Sequence, residues 1–149
     1  MASVHDVAAY ILETCGDMTT MKLQKLCYYS QGWSLAWDGE PLYRESIEAW
    51  ANGPVTVDLY RAHRGKFRVS ASDLEQGNSS ILSDNEKETI DAVLDAYAHL
   101  SGQQLSNKTH SERPWLEARG TLADGERSST IVDLESMQDF FGGLASSAS

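Results

Sequence analysis

Apolar residues recur every three or four positions along most of this chain, and each run is bounded by capping or breaking residues, which predicts a series of short helices. The first is Ser3 to Cys15: Ser3 and Asp6 stand at capping-box spacing, Val4, Val7, Ala8, Ile11 and Leu12 share one face, and Gly16 stops it. Only Asp17 and Met18 separate it from the next segment, a link short enough to pack the two helices together. That segment runs from a cap at Thr19 or Thr20 to a left-handed stop at Gly39. Leu23, Leu26, Cys27, Ser30, Trp33 and Trp37 fall at helical spacing, and Tyr28, Tyr29, Leu35 and Ala36 widen the apolar arc beyond one stripe. A helix apolar on most sides is buried on most sides. We expect it to be the central rod, with Trp33 and Trp37 in the core.

The period then changes. After a turn at Gly39 to Leu42, Ser46 to Trp50 alternates Ile47 and Ala49 with Glu48 and Trp50, as a short strand does. Asn52-Gly53-Pro54 breaks it at a sharp corner, and the fixed φ of Pro54 suits the start of a helix over Val55 to Arg64, ended by Gly65. Lys66 to Val69 alternates again and is the candidate partner for Ser46 to Trp50; Leu74 to Ser83 is a loop by composition and is expected to be a mobile surface excursion. Capping boxes at Ser83/Glu86 and Ser101/Gln104 open helices over Asp84 to Leu100 and Gly102 to Thr109, and Pro114 suits the first turn of a helix ending before Gly120. Thr121 to Ser129 reads as loop. A last helix is expected over Val132 to Phe141, with Ile131, Leu134, Met137, Phe140 and Phe141 inward and Gly142-Gly143 as its end. The predicted fold is mainly α: one compact domain over residues 1–144, about six helices and a short two-strand β ribbon, followed by a disordered tail over 145–149.

Two stretches carry a resemblance. Met21-Lys22-Leu23-Gln24-Lys25-Leu26-Cys27-Tyr28-Tyr29-Ser30-Gln31-Gly32-Trp33 with Ile47-Glu48-Ala49-Trp50-Ala51-Asn52-Gly53-Pro54-Val55 and Leu59-Tyr60 form the first. Leu105-Ser106 followed by Thr109-His110-x-Glu112-x-Pro114-Trp115 forms the second. In that order they resemble the Panacea domain, also called the SocA-like antitoxin domain, across roughly residues 3 to 141. The resemblance implies a protein-binding antitoxin of a bacterial or phage type II toxin-antitoxin system, whose cognate toxin it neutralises by direct contact. It also allows an adaptor that delivers the toxin to a Clp-type protease. Many members carry a further domain that binds DNA, for which this sequence has no room outside the resemblance.

Composition fits that reading. A formal charge of −10 opposes binding to a phosphate backbone, so no direct nucleic-acid binding is expected. No window approaches the ~20 apolar residues of a membrane span and no basic start leads into an apolar run, which predicts a cytoplasmic protein. Cys15 and Cys27, far apart and both in predicted helices, are expected to be reduced thiols.

Chemistry has little support. His110 and Glu112 could act as base and orienter in a small hydrolase, but side chains two apart on a helix do not face each other, and no GxSxG nucleophile motif is present. Helix capping around Pro114 accounts for them as well. His5, His63, His99 and His110 form no HxxxH or HExxH pattern, and no GxxxxGK[ST] or GxGxxG loop appears, so no metal, cofactor or catalytic role is expected. The candidate partner-binding surface is the ribbon end, its corner and the following helix: Trp50, Asn52, Gly53, Pro54, Tyr60 and Arg61, with His110 and Trp115 from the second motif. Trp, Tyr and Arg dominate binding hot spots, and a rigid corner loses little entropy on contact.

Overall fold

The computed structural model describes residues 1–147 and is mainly helical, with seven α-helices and four short strands among them. In chain order these are α1 Val4–Cys15, β1 Met18–Thr19, α2 Thr20–Asp38, β2 Ile47–Trp50, β3 Gly53–Thr56, α3 Val57–His63, β4 Arg68–Val69, α4 Asp84–Tyr97, α5 Gly102–Thr109, α6 Arg113–Arg119 and α7 Leu134–Ser147. Helix α2 is the rod around which α1, α4, α5 and α7 pack. Thr19 caps it by accepting from the Lys22 amide at 3.1 Å, and Gly39 closes it in the left-handed region at φ 71°. Leu23, Leu26, Cys27, Tyr28 and Tyr29 are all buried, as the wide apolar arc requires.

Burying the rod on every side also buries polar side chains, and two of them organise the chain around it. Gln24 accepts from the Thr56 amide at 2.9 Å and donates to the Thr56 carbonyl at 3.1 Å. Gln31, two turns on, accepts from the Leu42 and Tyr43 amides at 2.7 and 3.3 Å and donates to the Tyr43 carbonyl at 2.8 Å. Each carboxamide thus pairs with the backbone of a non-helical segment that would otherwise bury unsatisfied groups.

The ribbon differs from the sequence expectation. Gly53-Pro54-Val55-Thr56 is a strand rather than the start of a helix, paired antiparallel to β2 in the register Ile47↔Thr56 to Trp50↔Gly53. The proline fits for a geometric reason. Pro54 and Thr56, two positions apart, direct their backbone nitrogens to the same edge, and that of Thr56 bonds Gln24 rather than β2, so the missing N–H takes nothing from the ladder. Arg68–Val69 pairs with Met18–Thr19, not with residues 46–50. The free edge of β2 is covered instead by residues 130–132, where Ala49 N–H donates to Thr130 O and Val132 N–H to Ile47 O at 2.9 and 2.7 Å.

That contact also corrects the last helix. Residues 130–132 follow the strand period, leaving Ile131 exposed and Val132 buried, and the helix begins only at Leu134, itself partly exposed. It passes through Gly142-Gly143 and takes in residues 145–147, assigned above to the tail; 148–149 lie outside the described residues. Each glycine costs about 1 kcal/mol in a helix. Docking Met137 and Phe141 against α2 offsets it. Residues 71–82 are not a bare loop: two 3₁₀ turns are tied to α1 by Asn78 N–H to Asp6 Oδ1 at 2.8 Å and Ser79 Oγ to Glu13 at 2.6 Å. Trp33 is half-buried, donating to Tyr97 Oη at 3.0 Å, and Trp37 is 48% exposed, stacked outside it at 4.8 Å. Cys27 is buried and Cys15 exposed, both as free thiols.

Two predictions follow from the core. A Cβ at Gly32 would clash with the edge of the Phe141 ring, so Gly32→Ala should destabilise the fold by roughly 1–3 kcal/mol in urea titrations; an unchanged midpoint would mean that α7 is not seated there. Glu112, buried under α2, accepts from Tyr29 Oη at 2.8 Å, and burial pushes its carboxyl from 4.5 up to about 7. Between those values the folded state keeps a proton that the unfolded state has lost. Its contribution, on the order of 2–3 kcal/mol, is therefore full below pH 4.5 and gone by about pH 7. Glu112→Gln keeps the acceptor and removes the titration. Thermal melts should show a shallower loss of stability over that window than in the parent, and parallel profiles would contradict the assignment.

Candidate functional site

The two-residue loop Ala51-Asn52 joins β2 to β3, and at this end of the hairpin the carbonyls of Ala49, Trp50 and Asn52 meet side chains of α5 and α6. Those helices supply the donors. Trp115 Nε1 donates to Trp50 O at 2.8 Å, Arg119 Nη1 to Ala49 O at 3.2 Å, and Ser106 Oγ to Asn52 O at 2.5 Å. Arg119 lies over the Trp115 ring, 5.2 Å from its centroid, and His110 stacks on the same ring at 4.3 Å. Ser106, His110, Trp115 and Arg119 therefore brace the hairpin from behind.

In front of the loop an open groove of about 760 Å³ runs between α2, the hairpin and α3. Trp50 and Tyr60 form an aromatic wall, edge to face at 4.8 Å, and Asn52, Val55, Arg127, Ser128 and Ser129 complete the lining. Trp50 Nε1 is tied to Glu48 Oε1 at 2.9 Å. Gln24, Lys25 and His63 lie at the back of the groove, on the side of α2 and α3. His63 is buried, and its Nε2 lies 3.1 Å from Gln24 Nε2. One hydrogen of that amide goes to Thr56 O, so the other goes to His63, whose Nε2 is thereby the acceptor of a neutral ring. Burial, and then the Lys25 charge, hold this imidazole below its ordinary value.

Of the residues singled out in the sequence, Trp50, Asn52 and Tyr60 line the groove. Gly53 and Pro54 are buried rather than exposed at a corner, and Gly53, at φ 119°, has no room for a side chain because Lys25 lies against it. Arg61 points to solvent in an ion pair with Asp58 at 3.0 Å. Trp115 is buried and His110 half-buried, both behind the loop. His110 and Glu112 have separate partners: Glu112 is held by Tyr29, whereas His110, kept neutral by burial and by Lys25, packs on Trp115. Among the described residues no cluster of three His, Cys, Asp or Glu could hold a metal, and no helix is long and apolar enough to cross a membrane.

Sequence reasoning passed over Gln24, Lys25 and His63. One signal was present: Lys25 sits on a helix predicted to be apolar on nearly all faces, so it had no solvent side to turn to.

The model of the family described as Antitoxin SocA-like, Panacea domain, matches residues 23–116, a span that opens at the start of α2 and closes just after Trp115. Antitoxin SocA of Caulobacter vibrioides (strain NA1000 / CB15N) is 33% identical over 109 residues, covering 66% of this chain and 58% of that protein. No solved structure matches. The two stretches that the family model joins are those that meet at the braced hairpin, and the chain belongs to the SocA-like antitoxin family with a Panacea domain.

Proposed function

We propose that this chain is the antitoxin of a type II toxin-antitoxin pair, acting in the cytoplasm and neutralising a cognate toxin by direct binding at the groove beside the hairpin. The observation that carries this reading is the bracing: the Trp50 and Asn52 carbonyls are tied to Trp115 and Ser106 of the second motif and that of Ala49 to Arg119 just beyond it, which holds Trp50 in place before any partner arrives. A preorganised aromatic pair loses little entropy on contact and is the residue type that anchors interfaces. Membership of the antitoxin family and the likeness to Antitoxin SocA support a toxin as the partner. The reading assigns no chemical step to the chain, because His110 and Glu112 already have structural tasks apart from each other. In it the domain of residues 1–144 binds as one unit.

The test uses the product of the neighbouring open reading frame as candidate toxin. Trp50→Ala and Tyr60→Ala, shown to fold by thermal melts, should each weaken calorimetric binding by roughly 2 kcal/mol, and Arg61→Glu, at the groove's outer edge, by less. If all three bind within about threefold of the parent, under roughly 0.7 kcal/mol, the interface is elsewhere. Folded His110→Ala and Glu112→Ala should neutralise within about tenfold of the parent, since a cap or brace contributes about 0.5–2 kcal/mol. Complete loss in a folded variant would favour catalysis, where an acid-base group commonly contributes about 10²–10⁴ in rate.

A further inference from the structure

Lys25 is 2% exposed, and among the described residues its ammonium has no hydrogen bond and no ion pair. A buried charge is ordinarily paired, because desolvation disfavours it and only a counter-charge restores the balance. Here the chain carries ten more acidic than basic groups and still brings none to this one. The backbone makes way for it instead: a Cβ at Gly53 would stand 2.6 Å from Lys25 Cε and 3.3 Å from Nζ, so glycine at this point leaves the space that the side chain fills. Lys25 also lines the groove, so the ammonium lies at the one side from which an outside group can reach it.

The surroundings define that group. His63 is a neutral ring with its Nε2 occupied by Gln24, and so supplies neither a counter-charge nor a second cation. Glu48 lines the same groove with Oε1 held by Trp50, and disfavours a doubly charged ligand. Arg127 lines the groove as well, on the segment that leads to the free edge of β2. At the back of the groove Lys25 offers an ammonium rather than a guanidinium fork, which matches one negative charge, and the Trp50–Tyr60 wall matches apolar carbon next to it. From this geometry we infer that the groove is a socket for a single carboxylate, an Asp or Glu side chain of the polypeptide partner, which pairs with Lys25 while its neighbours pack on Trp50 and Tyr60. That the partner is the toxin rests on the function proposed above. Burial also holds the Lys25 amine down at about 8, the response of an ammonium with no counter-ion.

The socket can be tested before any toxin is in hand. The full chain, ¹⁵N-labelled, is titrated with 3-phenylpropionate, with its neutral amide and with inorganic phosphate. The carboxylate should give saturable shifts at Trp50, Gly53 and Tyr60 and bind roughly tenfold more tightly than the amide, as one charge-assisted contact implies. Lys25→Met should abolish that preference and melt no lower than the parent, since it removes an unpaired charge and keeps an unbranched apolar chain only one atom shorter. The inference is overturned if amide or phosphate binds as well as the carboxylate, if the preference survives in Lys25→Met, or if no saturable shift appears. A Lys25→Met that melts lower with probe binding intact would make Lys25 a packing residue and overturns it equally. Calorimetry with the neighbouring gene product then separates the two claims. If the parent binds no such protein, the toxin falls as source of the carboxylate, and the antitoxin reading with it. If parent and Lys25→Met bind the toxin alike, the socket alone falls.

Discussion

Two glutamines on one buried helix determine where the rest of this chain can go. Gln24 and Gln31 stand seven positions apart, close to two turns, and so project from one face of α2. Each carboxamide engages both the amide and the carbonyl of a passing backbone: Thr56 in one case, the Leu42-Tyr43 segment in the other. A buried backbone group left without a partner costs about 1–3 kcal/mol, so displacing either segment would forfeit several such bonds together. Gln24 does more, because its second hydrogen sets the tautomer of His63 and so fixes the groove's only buried imidazole as neutral. The position of β3, the start of α3 and the back of the groove all follow from that one side chain.

The second motif completes what the first begins. At the turn end of the hairpin the carbonyls of Ala49, Trp50 and Asn52 are met by Arg119, Trp115 and Ser106 from helices more than fifty residues downstream. The loop is thereby rigid without being stabilised from within. The same region holds a buried lysine with no counter-charge among the described residues, lodged against a glycine at φ 119° that leaves it space. Natural proteins retain such costs where binding needs them, and their concentration on one groove marks it off from the rest of the core.

Local chemistry was the part of the fold most visible in the sequence. The capping boxes Ser3/Asp6, Ser83/Glu86 and Ser101/Gln104 each form as their spacing predicts, and the start of every helix they open is where the cap puts it. The departures have a common cause in tertiary contacts that no local rule encodes. Pro54 is a strand residue because Gln24 takes the outer edge of β3, and α7 continues past its glycine pair because Phe141 is seated in α2. Residues 130–132 follow a strand period because β2 has a free edge to offer them. Trp37 lies outside because Trp33 and Phe141 already fill the space beneath it. The aromatic half of the candidate site was legible as Trp50 and Tyr60, whereas its charged half was not. The one hint was that Lys25 stands in the part of the helix whose neighbours on every face are apolar, and only the packing shows that it has no solvent side.

The central claim is that two motifs distant in sequence meet in order to present one preorganised binding surface. Hydrogen exchange measured on the chain alone and with the product of the neighbouring open reading frame, the candidate toxin, tests this most directly. The account predicts that the hairpin amides of residues 47–56 exchange slowly already in the free chain. On binding, new protection should then appear in residues 50–63 and 127–129. A hairpin that exchanges freely until the toxin binds, or protection confined to α4 and α7 with the groove unchanged, would contradict it.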